Sequence, residues 1–346
     1  MSLPDLPTSP TGLDLVRLGS WLGANVPGAG SDLSATLIAG GKSNLTYRVT
    51  DGATTWIVRR PPLGHVLATA HDMGREYRVM SALRDTAVPV PYTFGFCDDA
   101  EVLGAPFYMM ARCAGTPYRL AAELAPLGEE RTRLISERLV DTLVTLHQVD
   151  PAAVGLADFG RPEGYLERQV RRWRKQLDAS YSRDLPAADE LHRRLAAAIP
   201  KESGSGIVHG DYRLDNLLVD DEDRATAVLD WEMATLGDPL SDLALMVVYN
   251  RLGEVVGDAA GVSTVAGAPG YLTETETVER YAAGSGRDLS GFGFHLGLAA
   301  FKLAVIIEGI HYRHRSGQTV GDGFETLGEA IDPLLDAGLS ALKETH

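Results

Sequence analysis

Three polar side chains with a definite spacing lie in one short part of this sequence. Asp211 and Asn216 lie between the short apolar runs 207–208 and 217–219, and Asp230 directly follows a third run, 227–229. Carboxylate and amide oxygens are the ligands that Mg²⁺ prefers, and a positioned carboxylate can accept a hydroxyl proton. Phosphoryl transfer from a magnesium nucleotide uses such a set. The spacing predicts that Asp211 is the base, that Asn216 and Asp230 bind Mg²⁺, and that all three lie at the mouth of one β-hairpin.

Two alternatives accompany this interpretation. Asp211 and Asp215 could simply cap a turn between strands, as Asp commonly does. Arg213, two residues beyond Asp211, is predicted to donate to the transferred phosphoryl group. The alternative interpretation is that Arg213 is an exposed arginine of the loop without a role in the reaction.

A second constellation lies upstream, where a strand that ends in Arg59 is followed by a helix that carries Glu76. A cation that gathers nucleotide phosphates and is held by a helix carboxylate is a recurring device. Arg60 would face the other side of the same strand, and we expect Arg59 to be the one that contacts phosphate.

Two further segments are candidates for nucleotide contacts. A glycine turn between two strands lets backbone amides approach phosphate, and we predict a lid over the nucleotide there. It is not a Walker A loop, because Thr36 stands where a glycine is needed and a strand follows. The apolar connector beyond residue 107 could offer backbone groups to an adenine edge, although an ordinary strand would look alike. The residues are Gly40, Gly41, Lys42, Ser43 and Asn44 in the turn and Met110, Ala111 and Cys113 in the connector.

Candidates for binding the phosphoryl acceptor lie on two predicted helices. Arg171, Arg172 and Arg174 belong to a basic helix that could bind an anionic acceptor, although most charge runs are solvated faces. Glu308 and His311 lie on a later helix that could line the acceptor site or simply pack.

Composition restricts the function further. The 346 residues carry a formal net charge of −15, which argues against broad nucleic-acid binding. Two cysteines and the absence of a signal-peptide pattern favour a cytoplasmic protein. The apolar segment 294–310 is short for a membrane span and contains Lys302 and Glu308, so we expect a core helix and no membrane. A homodimer remains an open alternative.

Hydrophobic periodicity predicts the elements that position these residues. Strands are expected at 35–38, 45–50, 54–59, 94–96 and 107–111, with one helix at 71–83 between the third and the fourth. Asp51-Gly52 is a strong hairpin signal. From residue 129 onward helices dominate, at 131–147, 164–179, 190–199, 242–251, 275–283 and 294–315. The domain boundaries expected are 1–30 for an N-terminal helical extension, 31–112 for an antiparallel sheet lobe and 113–346 for a larger, mostly helical lobe.

The motifs resemble those of the aminoglycoside phosphotransferase and choline kinase-like superfamily, relatives of the protein kinases. The run 209–216 stands where that superfamily has its catalytic loop, and Asp230 stands where its metal-binding Asp follows. The segments 41–47, 59–62, 75–77, 209–216 and 237–244 are similar to the phosphotransferase domains associated with some acyl-CoA dehydrogenases.

The resemblance implies a two-lobed, protein-kinase-like α+β fold that binds ATP between its lobes, with Asp238 and Asp242 bracing the catalytic loop. It also implies a hydroxyacyl-CoA or a related acid-linked alcohol as acceptor. This sequence departs from the superfamily at Arg59, which replaces the usual lysine, and at Ala111, where a Glu is common.

The expected function is therefore an ATP- and Mg²⁺-dependent kinase that phosphorylates the hydroxyl group of a small molecule. An aminoglycoside or amino-alcohol kinase is one alternative, and the net charge of −15 mildly favours it. A nucleotide-binding but inactive regulator is the other, and only the arginine at position 59 leaves room for it.

Overall fold

The computed structural model describes residues 9–38, 44–63, 72–180, 182–201, 204–257, 262–316 and 327–343. The chain forms two units, Met1–Ala114 with Ala227–Glu232 and Gly115–Thr226 with Met233–His346. Residues 227–232, expected in the helical lobe, thus belong to the first unit. The helical extension expected at 1–30 is not separate either, because Leu18 and Leu22 share a core with strand residues such as Val49.

The first unit is built on a five-stranded antiparallel sheet with the order β1-β2-β3-β5-β4. Its strands are β1 Ser34–Leu37, β2 Leu45–Thr50, β3 Thr55–Arg60, β4 Thr93–Cys97 and β5 Phe107–Ala111. The helices are α1 Leu15–Asn25, α2 Met73–Leu83 and the short α3 Ala100–Leu103. The predicted strand and helix order is confirmed, and β2 and β5 have the predicted ends.

The turn between β2 and β3 follows from its first two residues, Asp51 and Gly52. Gly52 has a φ of +89°, a conformation that costs glycine little. Oδ1 of Asp51 accepts hydrogen bonds from the N–H groups of Ala53 at 3.0 Å and Thr54 at 2.7 Å. These local bonds fix the register of β3 against β2, and therefore the face on which Arg59 lies.

The second unit is mainly helical. Its helices are α4 Ala121–Leu124, α5 Glu129–Gln148, α6 Tyr165–Ala179, α7 Pro186–Ala197, α8 Leu240–Val256, α9 Glu274–Ser285, α10 Phe292–Arg315 and α11 Ile331–Ala341. The helix α10 packs against α6, α7, α8 and α11. In the described part of the chain it is the one helix long and apolar enough to cross a membrane, but 83% of its most apolar window is buried, as in a core helix. The helix α11 had no counterpart among the predicted elements.

The strands around the candidate site pair differently from the prediction. The strand β6 Gly206–Val208 pairs with β9 Thr235–Gly237, in antiparallel orientation. The strand β7 Leu217–Val219 pairs with β8 Ala225–Val228. The expectation that the three apolar runs make one hairpin was therefore wrong, because the first run finds its partner beyond residue 230, where no strand was predicted.

Candidate active site

A buried arginine on β3 joins two carboxylates of the first unit. Nε of Arg59 lies 3.2 Å from Oε2 of Glu76 on α2, and Nη2 donates to Oδ1 of Asp230 at 2.5 Å. The hydroxyl group of Tyr108 on β5 donates to Oε2 of Glu76 at 2.9 Å. We call these four residues the Arg59 cluster. The predicted ion pair between Arg59 and Glu76 is confirmed.

The neighbouring residue, Arg60, is buried and donates to backbone carbonyls instead of to a carboxylate. Arg60 is 5% exposed and donates to the backbone carbonyls of Gly12 at 2.5 Å and Leu103 at 2.7 Å. Of the two arginines that end β3, Arg59 is thus the one that lies beside the predicted metal ligand Asp230.

Burial dominates the electrostatics of the Arg59 cluster. It raises the pKa of Glu76 to about 7, against the opposing charge of Arg59. Burial also disfavours the arginine cation, but Tyr108, Glu76 and Asp230 more than offset this and raise the pKa of Arg59. A lysine changes its pKa readily when it is buried, whereas a guanidinium stays charged and offers a fork of donors. The arginine at position 59 can therefore serve two carboxylates while it stays cationic.

The backbone at Asp230 is strained. Asp230 has a φ of +66°, which few residues other than glycine adopt. The strain is held in place on both sides, since Val228 donates to the carbonyl of Pro89 at 2.8 Å and its own carbonyl accepts from Trp231 at 3.0 Å. Such conformations concentrate at functional sites. Here the strained residue carries a carboxylate that is 29% exposed.

The nucleotide contacts predicted in the first unit have different outcomes. Gly40, Gly41, Lys42 and Ser43 lie outside the described residues. Asn44 is 2% exposed, and its Nδ2 donates to Glu76 at 3.1 Å and Glu232 at 3.2 Å, so its amide group braces carboxylates.

The connector offers a limited set of backbone groups. The side chain of Met110 is buried, and the N–H of Ala111 already donates to the carbonyl of Tyr92 at 2.7 Å. The N–H of Cys113 makes no backbone hydrogen bond within the described part of the chain. The N–H of Cys113 can therefore donate to a ligand.

In the second unit a buried carboxylate holds the start of the loop 209–216, which we call the Asp211 loop. Oδ2 and Oδ1 of Asp242 on α8 accept the N–H groups of His209 and Gly210, each at 2.7 Å. Nε2 of His147 on α5 lies 3.2 Å from Oδ2 of Asp242. Burial would raise the pKa of Asp242, but the hydrogen bonds from His147 and Gly210 hold it below its usual value. The brace that the family resemblance implied for Asp242 is confirmed.

Gly210 cannot readily be replaced. Its φ is +85°, and a Cβ atom there would lie 2.8 Å from the backbone oxygen of Met233. The glycine lets the chain turn directly before Asp211.

The carboxylate of Asp211 is held by residues on both sides of the loop. Oδ1 accepts the hydroxyl group of Tyr249 on α8 at 2.8 Å, and Oδ2 accepts Nδ2 of Asn216 at 3.2 Å. Nε of Arg213 lies 3.5 Å from Oδ2, and its guanidinium lies 4.9 Å from the centre of the Tyr249 ring. Asp211 is 22% exposed, so it remains accessible while its orientation is fixed.

Two further charged residues, neither of which was predicted to act at the site, lie in this loop or against it. Burial raises the pKa of Asp215, whose Oδ2 lies 3.1 Å from Nη2 of Arg213. Nζ of Lys302 on α10 donates to the carbonyl of Gly210 at 2.7 Å and lies 5.5 Å above the Trp173 ring. Burial lowers the pKa of Lys302. A lysine within an otherwise apolar helix was the available signal for this contact.

The basic face of α6 is only partly available to a ligand. Arg174 pairs with Asp178 at 2.8 Å and also with Asp189. Arg171 is 65% exposed and pairs with Glu167 at 3.0 Å, while the Arg172 guanidinium lies 5.3 Å from the Trp173 ring. Arg171 and Arg172 thus remain candidates for acceptor contacts, whereas Arg174 is engaged.

The candidates on the later helix are packed residues. Glu308 is fully buried, accepts the hydroxyl group of Ser182 at 2.5 Å and lies 3.3 Å from Arg183. The ring of His311 lies so close to Gly328 that a Cβ atom there would be 2.7 Å from Nδ1. No described contact connects Glu308 or His311 with the Asp211 loop.

The chemistry of the two predicted metal ligands suits Mg²⁺. Nδ2 of Asn216 donates to the backbone carbonyl of Asp211 at 2.8 Å, which directs the amide nitrogen inward. Oδ1 of Asn216 and Oδ2 of Asp230 accept no hydrogen bond from the residues that the structure describes. Each residue therefore keeps one oxygen atom for a hard cation. Asn216 belongs to the second unit and Asp230 to the first.

The comparisons with known proteins establish the family. The sequence profile of the phosphotransferase enzyme family, APH, matches residues 34–276. The chain therefore belongs to the APH phosphotransferase family, as the motifs predicted. Family membership supports a kinase without identifying its acceptor.

Relatives and solved structures agree with this assignment. The chain is 33% identical over 341 residues to acyl-CoA dehydrogenase family member 11 of Rattus norvegicus. The aligned region covers 96% of this chain and 44% of that protein. The chain thus spans less than half the length of that relative. A candidate aminoglycoside phosphotransferase from Ralstonia eutropha JMP134 is 32% identical, with a TM-score of 0.84 and coverage of 96% and 99%.

A more distant structure confirms the fold alone. The aminoglycoside phosphotransferase APH(4)-Ia, solved as a thermostable mutant with AMP-PNP and hygromycin B, is 15% identical, with a TM-score of 0.60 and coverage of 93% and 99%. The predicted kinase-like α+β fold is confirmed by these structures.

Proposed function

We propose that this protein transfers the γ-phosphoryl group of ATP, in the presence of Mg²⁺, to the hydroxyl group of a small molecule. The observation that carries the proposal is the setting of Asp211, a partly exposed carboxylate held by Tyr249 and Asn216 in a chain of the APH family. The AMP-PNP bound to APH(4)-Ia supports an adenine nucleotide as donor.

In this proposal the Asp211 loop orients the acceptor and removes its proton. Tyr249 donates to Oδ1 and Asn216 to Oδ2, so neither bond consumes both lone pairs of an oxygen atom. Asp211 therefore retains the capacity to accept a hydroxyl proton as the nucleophile forms. Arg213, stacked against Tyr249, supplies positive charge beside the carboxylate.

In this proposal the first unit supplies the positively charged side chain that binds the phosphates of the nucleotide. Arg59 stays charged between Glu76 and Asp230 and would donate to the phosphates. Asn216 and Asp230 would hold Mg²⁺ through their remaining oxygen atoms, and the bound ion would neutralise charge on the phosphates.

A hydroxyacyl-CoA is the acceptor that the relatives favour. The chain resembles a part of acyl-CoA dehydrogenase family members, whose names concern acyl-CoA substrates. Arg171 and Arg172 on the exposed side of α6 offer cations that suit a phosphorylated carrier better than a polycationic aminoglycoside. Because charges far from the acceptor are screened, the positive charge of Arg171 and Arg172 should influence acceptor binding more than the net charge of −15 of the whole chain.

The test is a comparison of three acceptor classes under one assay. The purified chain is incubated with ATP and Mg²⁺ and with hydroxyacyl-CoAs, aminoglycosides or amino alcohols, and phosphorylated product is detected by mass spectrometry. We expect product with a hydroxyacyl-CoA and none when EDTA replaces Mg²⁺. Product with aminoglycosides alone would overturn the choice of acceptor, and no product with any class, while ATP still binds, would favour an inactive regulator.

A further inference from the structure

A cavity bordered by hydroxyl and guanidinium side chains lies on the sheet of the first unit, at a place to which the catalytic proposal gives no role. It has a volume of about 310 Å³, comparable to the smaller ligand-binding pockets of proteins. Its polar lining consists of four hydroxyl side chains and two guanidinium groups, from Ser34, Thr36, Thr50, Thr55, Arg48 and Arg112.

The strand register shows which face of the sheet carries this cavity. Thr50 pairs with Ser34 on one side and with Thr55 on the other, so their side chains form one row. Side chains alternate along β3, and Thr55 is therefore on the same face as Arg59, whereas Trp56 points into the core with α1. Arg59 lies four positions beyond Thr55 along β3, which corresponds to about 13 Å at roughly 3.3 Å per residue.

The two guanidinium groups of the cavity are available to a ligand. Neither Arg48 nor Arg112 forms a hydrogen bond or an ion pair with the residues that the structure describes, and both are exposed. Arg59 and Arg60 on the adjoining strand, in contrast, are engaged by carboxylates and carbonyls. The chain carries 47 acidic and 32 basic residues, so two unpaired arginines in one cavity leave a local positive charge on an acidic protein.

The donor chemistry identifies the class of ligand. A guanidinium group presents a planar fork that matches the oxygen atoms of a phosphate, and hydroxyl groups add further donors. The volume exceeds what a free phosphate needs and suits a phosphate that is part of a larger molecule, such as a phosphorylated ribose.

We propose that Arg48 and Arg112 bind a phosphate group of a phosphorylated ligand in this cavity, a second anion site distinct from Arg59. The proposal rests on the proposed function for its two sources of phosphate. One is the CoA part of the acceptor, which carries a diphosphate and a ribose 3′-phosphate, and the other is the nucleotide.

Binding of each source is measured by calorimetry on the full chain, without any need for turnover. The probes are CoA, dephospho-CoA (which lacks the 3′-phosphate) and ATP. The variants are Arg48→Gln, Arg112→Gln and the double variant. Arg84→Gln is the matched control, because it removes one exposed arginine of the same unit that does not line the cavity. Arg48→Lys retains the positive charge but lacks the planar set of donors of a guanidinium group. The melting temperature of each variant verifies that it is folded.

We expect the double variant to weaken binding of CoA or ATP at least tenfold, each single variant to weaken it at least threefold, and Arg84→Gln to change it less than twofold. A loss seen with CoA but not with dephospho-CoA identifies the 3′-phosphate, and equal losses with both identify the diphosphate. A loss confined to ATP identifies the nucleotide. Unchanged affinities for both CoA and ATP, or no binding of either by the parent chain, would overturn the proposal. Failure of the kinase assay would leave these binding results unaffected.

Discussion

The Arg59 cluster and the Asp211 loop hold their carboxylates by different means. In the Arg59 cluster, the side chain of Glu76 is 1% exposed and lies 3.2 Å from the guanidinium group of Arg59, which is 12% exposed. In the Asp211 loop, the carboxylate is 22% exposed and is oriented mainly by neutral donors, the hydroxyl group of Tyr249 and the amide of Asn216. The first arrangement resembles a structural ion pair, and the second resembles a reactive group held in position.

This difference indicates where changes should affect stability and where they should affect turnover. A buried ion pair that loses one member leaves an uncompensated charge, which costs several kcal/mol of folding free energy. A partly exposed carboxylate can be altered at small structural cost, because water replaces the lost partners.

Asp211→Asn should reduce kcat about a thousandfold, within the range for loss of a general base. The melting temperature should stay within about 2 °C of the parent value, because the amide keeps the size of the side chain and can still accept the hydrogen bond from Tyr249. Asp332→Asn, which neutralises an exposed carboxylate on α11, is the control and should keep full activity. A parent-like rate for Asp211→Asn would remove this residue from the chemistry.

Arg59→Met should lower the free energy of unfolding by about 3 kcal/mol, since Glu76 then stays buried without its cation. Arg213→Met, which removes a 26% exposed arginine, should cost about 1 kcal/mol or less. Urea denaturation measures both. Adding Glu76→Gln to Arg59→Met should recover part of the loss, and additive losses in the double variant would contradict the paired arrangement.

Tyr249→Phe should lower kcat about tenfold and leave the KM for ATP unchanged, because the hydroxyl group positions Asp211 without touching the nucleotide. Tyr271→Phe is the matched control, because it removes a buried hydroxyl that bonds Asn250. Equal effects of both substitutions would mean that Tyr249 is only a packing residue.

Glu76 should make stability depend on pH. Its pKa of about 7 in the folded chain lies above the value of about 4.3 for an exposed Glu. Its contribution to stability is therefore fully present below pH ~4.3 and is lost as the pH rises through 7. Between pH 5.5 and 8.5 the stability of the parent relative to Glu76→Gln should fall by about 1–2 kcal/mol. A constant difference across that range would show that Glu76 is already ionised at pH 5.5.

Local sequence signals were sufficient for much of the fold. The Asp51-Gly52 turn predicted the β2–β3 hairpin, and alternation along β3 placed Arg59 opposite Arg60. The pairing of β6 with β9 was missed, because two three-residue strands separated by 26 residues carry no local pairing signal.

The partners of Asp211 were harder to predict than Asp211 itself. Tyr249 and Lys302 reach the loop from α8 and α10, which are distant in sequence, and only the tertiary packing brings them there. The loop motif could be recognised because its chemistry depends on nearby residues. Contacts supplied by distant helices leave no comparable spacing in the sequence.

The central claim is that Asp230 in the first unit and Asp211 in the second serve one magnesium-dependent reaction in different roles. Calorimetric titration of ATP, with and without Mg²⁺, into Asp211→Asn and Asp230→Asn tests it most directly. We predict that Asp211→Asn retains the increase in ATP affinity that Mg²⁺ produces in the parent chain, and that Asp230→Asn loses it. The claim would be contradicted if Asp230→Asn kept that increase and Asp211→Asn lost it.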